Sequence, residues 1–249
     1  MSHQYPKLIL PKGYISWTQL DLWIKNPTRY KSEYFEDGKR LDTRYLRFGG
    51  EFSRIVERLG ELYGNGPGQI PQRYAAILKL KEEFPMDENM ESVLMELDID
   101  GISEFQIGNS GKEGDTTPVC KIRGEVPILA YLDKYIEKNG AIGEYKTGLV
   151  EWTLAKVQKH GQLLYYGVGL KWSGKPLPPH ADLHWIETKE SEQERVDFWR
   201  DGAKIISATG RIKSFHREFD EREFDRMEDL IIKTALEISD AYQEHLAQL

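Results

Sequence analysis

The dipeptide Asn139-Gly140 lies between two apolar segments, 128–132 and 141–145, and constrains the fold more than any other feature of the chain. A type I′ turn needs positive φ at both central residues, and asparagine followed by glycine tolerates that backbone best. Apolar segments joined by such a dipeptide are typical of a β-hairpin. The sequence therefore predicts two antiparallel strands around a two-residue loop.

The register of this hairpin brings ionisable residues together. With a two-residue loop, Asp133 pairs with Lys146, and Tyr135 pairs with Glu144. Directly paired residues share a face of the sheet and side chains alternate with period two, so Asp133, Glu144 and Lys146 project to the same side. The two acids are then diagonal neighbours, roughly 7 Å apart at the backbone.

Two carboxylates and a lysine on one face are typical of a magnesium-dependent phosphodiesterase. Mg²⁺ takes oxygen ligands and neutralises charge that develops on a phosphate, while a nearby lysine acts on the attacking water. Similar acid-x-lysine motifs at 37–39 and 187–189 have no second acid across a hairpin, and a solvated surface ion pair is the better interpretation there. We therefore expect Asp133 and Glu144 to bind Mg²⁺ or Mn²⁺ and Lys146 to be catalytic.

Periodicity along the rest of the chain predicts an α/β fold. Helical spacing and capping patterns predict helices at 16–24, 26–35, 47–64, 72–84, 152–171 and 224–247. Strands are predicted at 92–99, 119–126, 128–136 and 181–186, and the polar segment 101–117 is predicted to be a loop. This order fits a central mixed β-sheet flanked by helices.

Composition narrows the class of protein. The 249 residues suffice for one domain, and no linker rich in Pro, Gly or Ser divides them. Segment 1–12 has no basic region followed by an apolar run, and Cys120 is the one cysteine, so we expect a soluble, cytoplasmic protein without disulfides. The net charge of −7 argues against broad attraction to nucleic acid, so local patches must make any such contact.

The helix predicted after the hairpin carries one polar stripe. Ala155, Lys159, Gln162 and Tyr166 follow one another at spacings of four, three and four residues, which places them on one face. Gln162 and Tyr166 alone would be a hydrogen-bonded pair at the edge of the core. Beside the hairpin we expect both to belong to the site, with Lys159 and Gln162 able to reach a phosphate or a base.

Several groups of residues occur in a recognisable order along 15–186. They are Ser16-Trp17-Thr18-Gln19-Leu20, Asn26-Pro27-Thr28-Arg29-Tyr30, Phe48-Gly49-Gly50, Leu132-Asp133, Gly143-Glu144-Tyr145-Lys146-Thr147-Gly148 and His160-Gly161-Gln162-Leu163-Leu164-Tyr165-Tyr166. Together they resemble the PD-(D/E)XK nuclease superfamily, in its RecB-like and phage-exonuclease branch. The resemblance implies a restriction-endonuclease-like αβββαβ core with helical N- and C-terminal additions.

The resemblance also implies how the chain is divided and used. One domain would span 1–249, with a helical part at 15–85, a catalytic core at about 92–190 and a C-terminal helix at 224–247. In that family the aspartate and the Glu-x-Lys acid bind the metal, and the lysine serves the water. The backbone carbonyl after the acid is a further ligand, which here is that of Tyr145.

The chain departs from the family pattern at two places. Many relatives carry a His or Glu four residues after the glycine that opens the early helix, where this chain has Ser53. Glu57 lies one turn further on the same face and Glu51 is nearby, so either acid can replace it, and Glu57 is favoured. Some relatives bind an iron–sulfur cluster through four cysteines, whereas this chain has Asn26 at one such position and only Cys120, which excludes a cluster.

Two further clusters allow a functional or an ordinary interpretation. His180, Asp182 and His184 can point three metal ligands to one side of a strand, but an ordinary strand edge is favoured because a fourth ligand is missing. Four arginines near the glycine-opened helix are either a solvated face or a phosphate-contacting surface. They are Arg44, Arg47, Arg54 and Arg58.

The function that these observations favour is a metal-dependent DNA nuclease, most similar to exonucleases of phage recombination or RecB-type repair. A recombination or single-strand-annealing protein is the partner that the resemblance implies, and the host cytoplasm is the location if a phage encodes the chain. A restriction-like or structure-specific endonuclease and a catalytically silent nucleic-acid-binding scaffold are the alternatives. Cleavage polarity, DNA against RNA, one metal against two, and the oligomeric state stay open.

Overall fold

The computed structural model describes residues 8–36, 38, 42–63, 70–191 and 205–249. Its helices are α1 (Trp17–Lys25), α2 (Pro27–Tyr34), α3 (Arg44–Tyr63), α4 (Ile70–Glu83), α5 (Glu88–Glu96), α6 (Leu154–Gln158), α7 (Gly161–Trp172) and α8 (Glu221–Leu246). Its strands are β1 (Ile102–Ile107), β2 (Cys120–Ile122), β3 (Val126–Ile128), β4 (Ala130–Ile136), β5 (Ala141–Gly148), β6 (His180–Ser191) and β7 (Ile205–Glu218).

The main sheet has five strands in the order β1-β4-β5-β6-β7. β5 and β6 are parallel and are joined by the crossover through α6 and α7, while the other neighbours pair antiparallel. β2 and β3 form a separate two-stranded sheet. The fold class is therefore α/β with a mixed sheet flanked by helices, which confirms the expectation from the sequence.

Helices cover both faces of the sheet. On one face Ile142, Leu183 and Trp185 pack in a core cluster with residues of α7 and α8. On the other face Tyr145 and Ile186 pack in a second cluster with α3, α4 and α5. Because alternate residues of β5 enter different cores, Glu144 and Lys146 lie on the α7 face while Tyr145 lies on the α3 face.

The loop of the hairpin is longer than the sequence predicts. Ile136 pairs with Ala141, so four residues form the turn, and Gly140 alone takes a positive φ, 75°. A type I′ turn is therefore absent, because it needs positive φ at Asn139 as well. The pairing of Tyr135 with Ile142 shifts the register by two residues from the predicted one, and a shift of two keeps every side chain on its predicted face.

The helix predicted at 152–171 is two helices, α6 and α7, separated at 159–160. Thr153 caps α6 by accepting from the N–H of Lys156 at 3.3 Å. The Arg217 guanidinium, 1% exposed, donates to the carbonyl of Val157 at 3.2 Å and to that of His160 at 3.1 Å. A buried cation thus donates to two carbonyls at the interruption, of which that of Val157 also accepts from the backbone N–H of His160 at 3.0 Å.

Close packing explains why glycines occur inside α7. A Cβ atom at Gly167 would lie 2.1 Å from the ring of Phe224, and one at Gly161 would lie 2.5 Å from the ring of Trp17. Both distances are shorter than any van der Waals contact, so only glycine lets α1 and α8 approach α7 this closely.

Other boundaries also differ from the predicted ones. The strand predicted at 92–99 is wrong, because Asp87 caps α5 and Met90, Val93 and Leu94 form its buried stripe. β1 lies within the predicted loop, α3 begins at Arg44 before the glycines, and β7 has no counterpart in the predictions. The end that the sequence predicts for this helix, at residue 64 before the glycine-rich segment 64–68, lies outside the described residues. Among the helices of the described ranges, none combines the length and apolar character needed to span a membrane.

Candidate active site

Glu144 is the centre of the polar cluster on the α7 face. It lies in the middle of β5, and its side chain is only about 2% exposed. One carboxylate oxygen, Oε1, is 2.5 Å from Lys146 Nζ. The other, Oε2, is buried and accepts no hydrogen bond from the described residues. A buried carboxylate oxygen without a donor is costly unless something outside the protein pairs with it.

Asp133 approaches Glu144 from the neighbouring strand. It lies one step beyond the pair Lys134 and Gly143 in the ladder, and its Oδ2 accepts from the backbone N–H of Tyr145 at 2.7 Å. Burial raises the pKa of Asp133 well above its ordinary value, and the nearby charge of Glu144 raises it further. The structure thus brings the two predicted acids together, directly opposed rather than diagonal.

A hydrogen-bonded chain leads from Lys146 to α7. Lys146 Nζ donates to Gln162 Oε1 at 2.8 Å, and Gln162 Nε2 donates to the Tyr166 hydroxyl. Burial alone would lower the pKa of Lys146, but Glu144 and Asp133 raise it above its ordinary value. Gln162 and Tyr166 therefore join the predicted site. The other two members of the predicted stripe, Ala155 and Lys159, are exposed on the far side of the helix break.

Glu104 is a site residue that the sequence did not indicate. Its neighbours Ser103 and Phe105 pair with Lys134 and Leu132, which places Glu104 beside Asp133. Its φ is 49°, a left-handed backbone that residues other than Gly, Asn and Asp seldom adopt. Such strain concentrates at functional sites.

Charge also connects Glu104 with the cluster. Burial raises the pKa of Glu104, and the charges of Glu57 and Glu144 raise it further. Glu57 is exposed on α3, so its charge reaches the cluster through Glu104, whereas Glu51 is half-buried on the same helix. The alternation of Glu104 and Gln106 with Phe105 and Ile107 was the available sequence signal for this strand.

His160 is a second residue for which the sequence predicted no role. Its ring centroid lies 4.9 Å from that of Trp152 and 6.3 Å from that of Trp17. Burial lowers the pKa of His160 to about 3, and the positive charge of Lys146 contributes to the lowering. The imidazole is therefore neutral at physiological pH and forms an uncharged wall next to the lysine.

The four predicted DNA-contacting arginines differ in their surroundings. Arg44 pairs with Glu190 at 2.5 Å, Arg47 with Asp42 at 2.6 Å, and Arg58 with both Glu83 and Glu61. Arg54 is exposed and forms no ion pair with a described residue.

The predicted DNA-contacting lysine lies next to His160 in the sequence. Lys159 is exposed at the C-terminus of α6, one residue before His160. Lys156, on the same helix, lies over the Trp152 ring at 4.1 Å, and its charge helps to lower the pKa of His160. Lys156 thus places positive charge near His160, and Lys159 adjoins His160 in the sequence.

A cavity of about 290 Å³ opens next to Tyr166. Tyr131 lines it from β4, two residues before Asp133 and therefore on the same face of the sheet. Aromatic side chains dominate the wall. The lining residues are Tyr14, Ser16, Trp17, Thr18, Gln19, Tyr34, Leu129, Ala130, Tyr131 and Tyr166.

Comparisons with known proteins find similar structures but no similar sequences. No protein-family profile and no curated protein sequence matches the chain. A Eubacterium rectale protein named as a candidate exonuclease is 9% identical, covers 93% of this chain and 83% of its own, and has a TM-score of 0.47. A phage-related exonuclease from Haemophilus somnus 129PT is 14% identical over 85% of this chain and 91% of its own, with a TM-score of 0.34. Because these identities and scores are low, we base the function on the geometry of the site itself.

Proposed function

We propose that the chain is a metal-dependent nuclease that hydrolyses phosphodiester bonds of DNA from an end, as in the RecB-like and phage-exonuclease branch of the PD-(D/E)XK superfamily. The observation that supports this most is the pairing of Glu144 with Lys146 on one oxygen while Oε2 has no donor among the described residues. A silent scaffold has no use for a buried carboxylate left in this state.

The acids fit a hard divalent cation. Asp133 and Glu144 supply carboxylate oxygens from adjacent strands, and the unpaired Oε2 is available to a ligand. Glu104, on the next strand, interacts with both by charge, but the three carboxylates are not gathered within 4.8 Å of one another in the metal-free structure. We assign the metal to Asp133 and Glu144, with the backbone carbonyl of Tyr145 by resemblance. Glu104 is assigned as the third acid, with Glu57 behind it. Bound Mg²⁺ or Mn²⁺ supplies Lewis-acid stabilisation of charge on the phosphate.

The other polar residues of the cluster hold and orient the reacting groups. Lys146, as an ammonium, donates both to Glu144 and to Gln162, so its third proton is free to hold the attacking water or a phosphate oxygen. Gln162 is itself oriented by Tyr166, which fixes the direction of the lysine. His160, being neutral, keeps water away from one side of the ammonium without adding a competing charge.

The surroundings favour an end of a DNA strand as the substrate. Lys156 and Lys159 supply the local positive charge that a protein of net charge −7 needs to hold a polyanion. The cavity beside Tyr166 offers the rings of Trp17 and Tyr131 to a base next to the scissile phosphate. We assign this cavity of about 290 Å³ to the terminal nucleoside of the strand.

The experiment is a cleavage assay on protein freed of metal with a chelator and then supplied with Mg²⁺ or Mn²⁺. We expect end-labelled linear DNA to be degraded and covalently closed circular DNA to stay intact. Glu144→Gln should abolish degradation, whereas Glu244→Gln, at an exposed position of α8, should leave it unchanged. Cutting of the circle would replace the exonuclease by an endonuclease. Absence of metal-dependent cleavage in the parent, or parent-like cleavage by Glu144→Gln, would overturn the proposal.

A further inference from the structure

Two histidines and an aspartate meet on the opposite face of the sheet from the candidate active site. Asp182 of β6 pairs with His216 of β7, and His180 lies two residues before Asp182 on the same face. One ligand atom from each residue lies within 4.8 Å of the other two. Asp182 also pairs with Gly143, the residue next to Glu144, so this cluster and the acid cluster project to opposite sides.

The three side chains already interact without a metal. His216 Nδ1 and Asp182 Oδ1 are hydrogen-bonded at 2.8 Å, and His180 Nε2 lies 3.9 Å from Asp182 Oδ2. The two imidazole rings are 4.7 Å apart between centroids. The side chains of His180, Asp182 and His216 are 26%, 28% and 53% exposed, respectively. An ion therefore has a path to the cluster from solvent.

We propose that His180, Asp182 and His216 form a binding site for a borderline transition-metal ion, with Zn²⁺ the best fit and Co²⁺ or Ni²⁺ as substitutes. Imidazole nitrogen is a ligand that Zn²⁺ prefers and that Mg²⁺ does not take. Two nitrogens and a carboxylate oxygen are one of the three-ligand sets that Zn²⁺ accepts with an open fourth position.

The distances are compatible with one ion after small rotations. Bonds of about 2.0–2.1 Å to a tetrahedral ion place ligand atoms roughly 3.4 Å apart. His216 Nδ1 lies 2.8 Å from one oxygen of Asp182 and His180 Nε2 lies 3.9 Å from the other, and these two separations lie on either side of that value. Because the side chains are partly exposed, the rotations meet little packing. In the metal-free state the proton between His216 and Asp182 occupies the position that the ion takes over.

Residues around the cluster differ in whether they can bind the same ion. Glu218 pairs with His180 across the ladder and lies on the same face, which makes it the candidate fourth ligand. His184 does not take part, because it is 5% exposed and its Nδ1 is hydrogen-bonded to Ser214 Oγ at 2.8 Å. Two buried cations lie on the neighbouring positions of the sheet and both are paired, Lys134 with Asp98 at 2.6 Å and Arg217 with Glu223 at 2.9 Å.

Both strands contribute ligands, so the ion links β7, at the edge of the sheet, to β6. Binding to the folded chain alone stabilises that pairing by mass action. The interaction is independent of the acid cluster, since it uses a different face and different donor atoms. It therefore does not depend on the proposed nuclease activity.

The test is a calorimetric titration of Zn²⁺ into chelator-treated protein. It uses the Asp133→Asn background so that the acid cluster does not contribute a second site. We expect one equivalent of Zn²⁺ to bind, and either His216→Ala or His180→Ala to weaken binding by at least about tenfold. Co²⁺ should give the absorption of a tetrahedral site in the background protein and lose it in His216→Ala. His245→Asn, on α8, is the matched control and should keep both signals.

A melting curve distinguishes lost ligation from misfolding. His216→Ala should melt close to its background in the absence of zinc and should lose the zinc-induced increase in Tm. Equal Zn²⁺ affinity in the histidine variants and the background would overturn the proposal. The proposal would also be overturned if Glu144→Gln abolished Zn²⁺ binding while His216→Ala left it intact.

Discussion

Asp133→Asn tests the acid cluster without relying on activity. The raised pKa of Asp133 means that the metal-free folded protein keeps a proton which the unfolded chain releases above its ordinary pKa of 3.8. The unfolding free energy of the parent therefore falls as the pH rises from that value through the raised pKa. Asparagine has no such proton, and its amide oxygen can still accept from the N–H of Tyr145.

The magnitude follows from the opposed positions of Asp133 and Glu144. Directly paired residues lie roughly 5 Å apart, and ionising Asp133 beside Glu144 at that distance costs about 3 kcal/mol at an effective dielectric constant of about 20, a cost that the folded parent meets either as repulsion or by holding a proton on Asp133. Lys146 offsets part of this, so we expect Asp133→Asn to raise the unfolding free energy at neutral pH by about 1–3 kcal/mol. For a chain of this size that is an increase in Tm of roughly 2–12 °C.

Addition of Mn²⁺ should make the parent the more stable of the two proteins. At a thousandfold excess over Kd, binding stabilises the parent by about 4.1 kcal/mol, which exceeds the difference expected in chelator, whereas the variant gains much less. Thermal melts from pH 5 to 8, in chelator and in Mn²⁺, measure both effects, with Asp240→Asn at an exposed position of α8 as the control. A variant that melts no higher than the parent in chelator, or that gains as much from Mn²⁺, would refute the reasoning.

Three further predictions concern neighbouring groups. Lys146→Met should lower the turnover number by about a hundredfold while keeping the Mn²⁺-induced increase in Tm, and a parent-like rate would remove Lys146 from the mechanism. Arg217→Met should cost about 3–5 kcal/mol in a denaturant melt, because it leaves buried carbonyls and Glu223 without their partner; a loss under about 1 kcal/mol would contradict this. Lys159→Gln should reduce the slope of log affinity against log salt by about 0.7–0.9, whereas Arg58→Gln should change it less because Glu83 already pairs with Arg58; the reverse order would return the DNA path to α3.

Local sequence patterns were sufficient to predict helices and strands wherever the apolar residues follow a single helical or strand spacing. The helical spacing of apolar residues predicted α8 from residue 224 onward, and apolar alternation predicted β4 and β5; the capping box at Asp220, where the helix begins, was not used. The shared face of Asp133, Glu144 and Lys146 survived an error in the turn. Side chains of a strand alternate between its two faces, so a shift of the pairing register by two residues leaves each side chain on the same face.

Local patterns failed where a distant group decides the backbone. The break between α6 and α7 depends on Arg217, which lies about 60 residues further along the chain. The strand β1 is pinned by its pairing with β4, since its short apolar alternation is followed directly by a segment with the composition of a loop. Both are long-range interactions that a window of neighbouring residues does not contain.

The sequence by itself determined which acids and which lysine share a face, because that follows from the period of an extended chain. Only the tertiary structure decided which further groups join them. Glu104 reaches Asp133 through the pairing of β1 with β4, and His216 replaces His184 beside Asp182 through the pairing of β6 with β7. Neither partner could be chosen from the sequence, since strand order and register depend on the packing of the whole sheet against its helices.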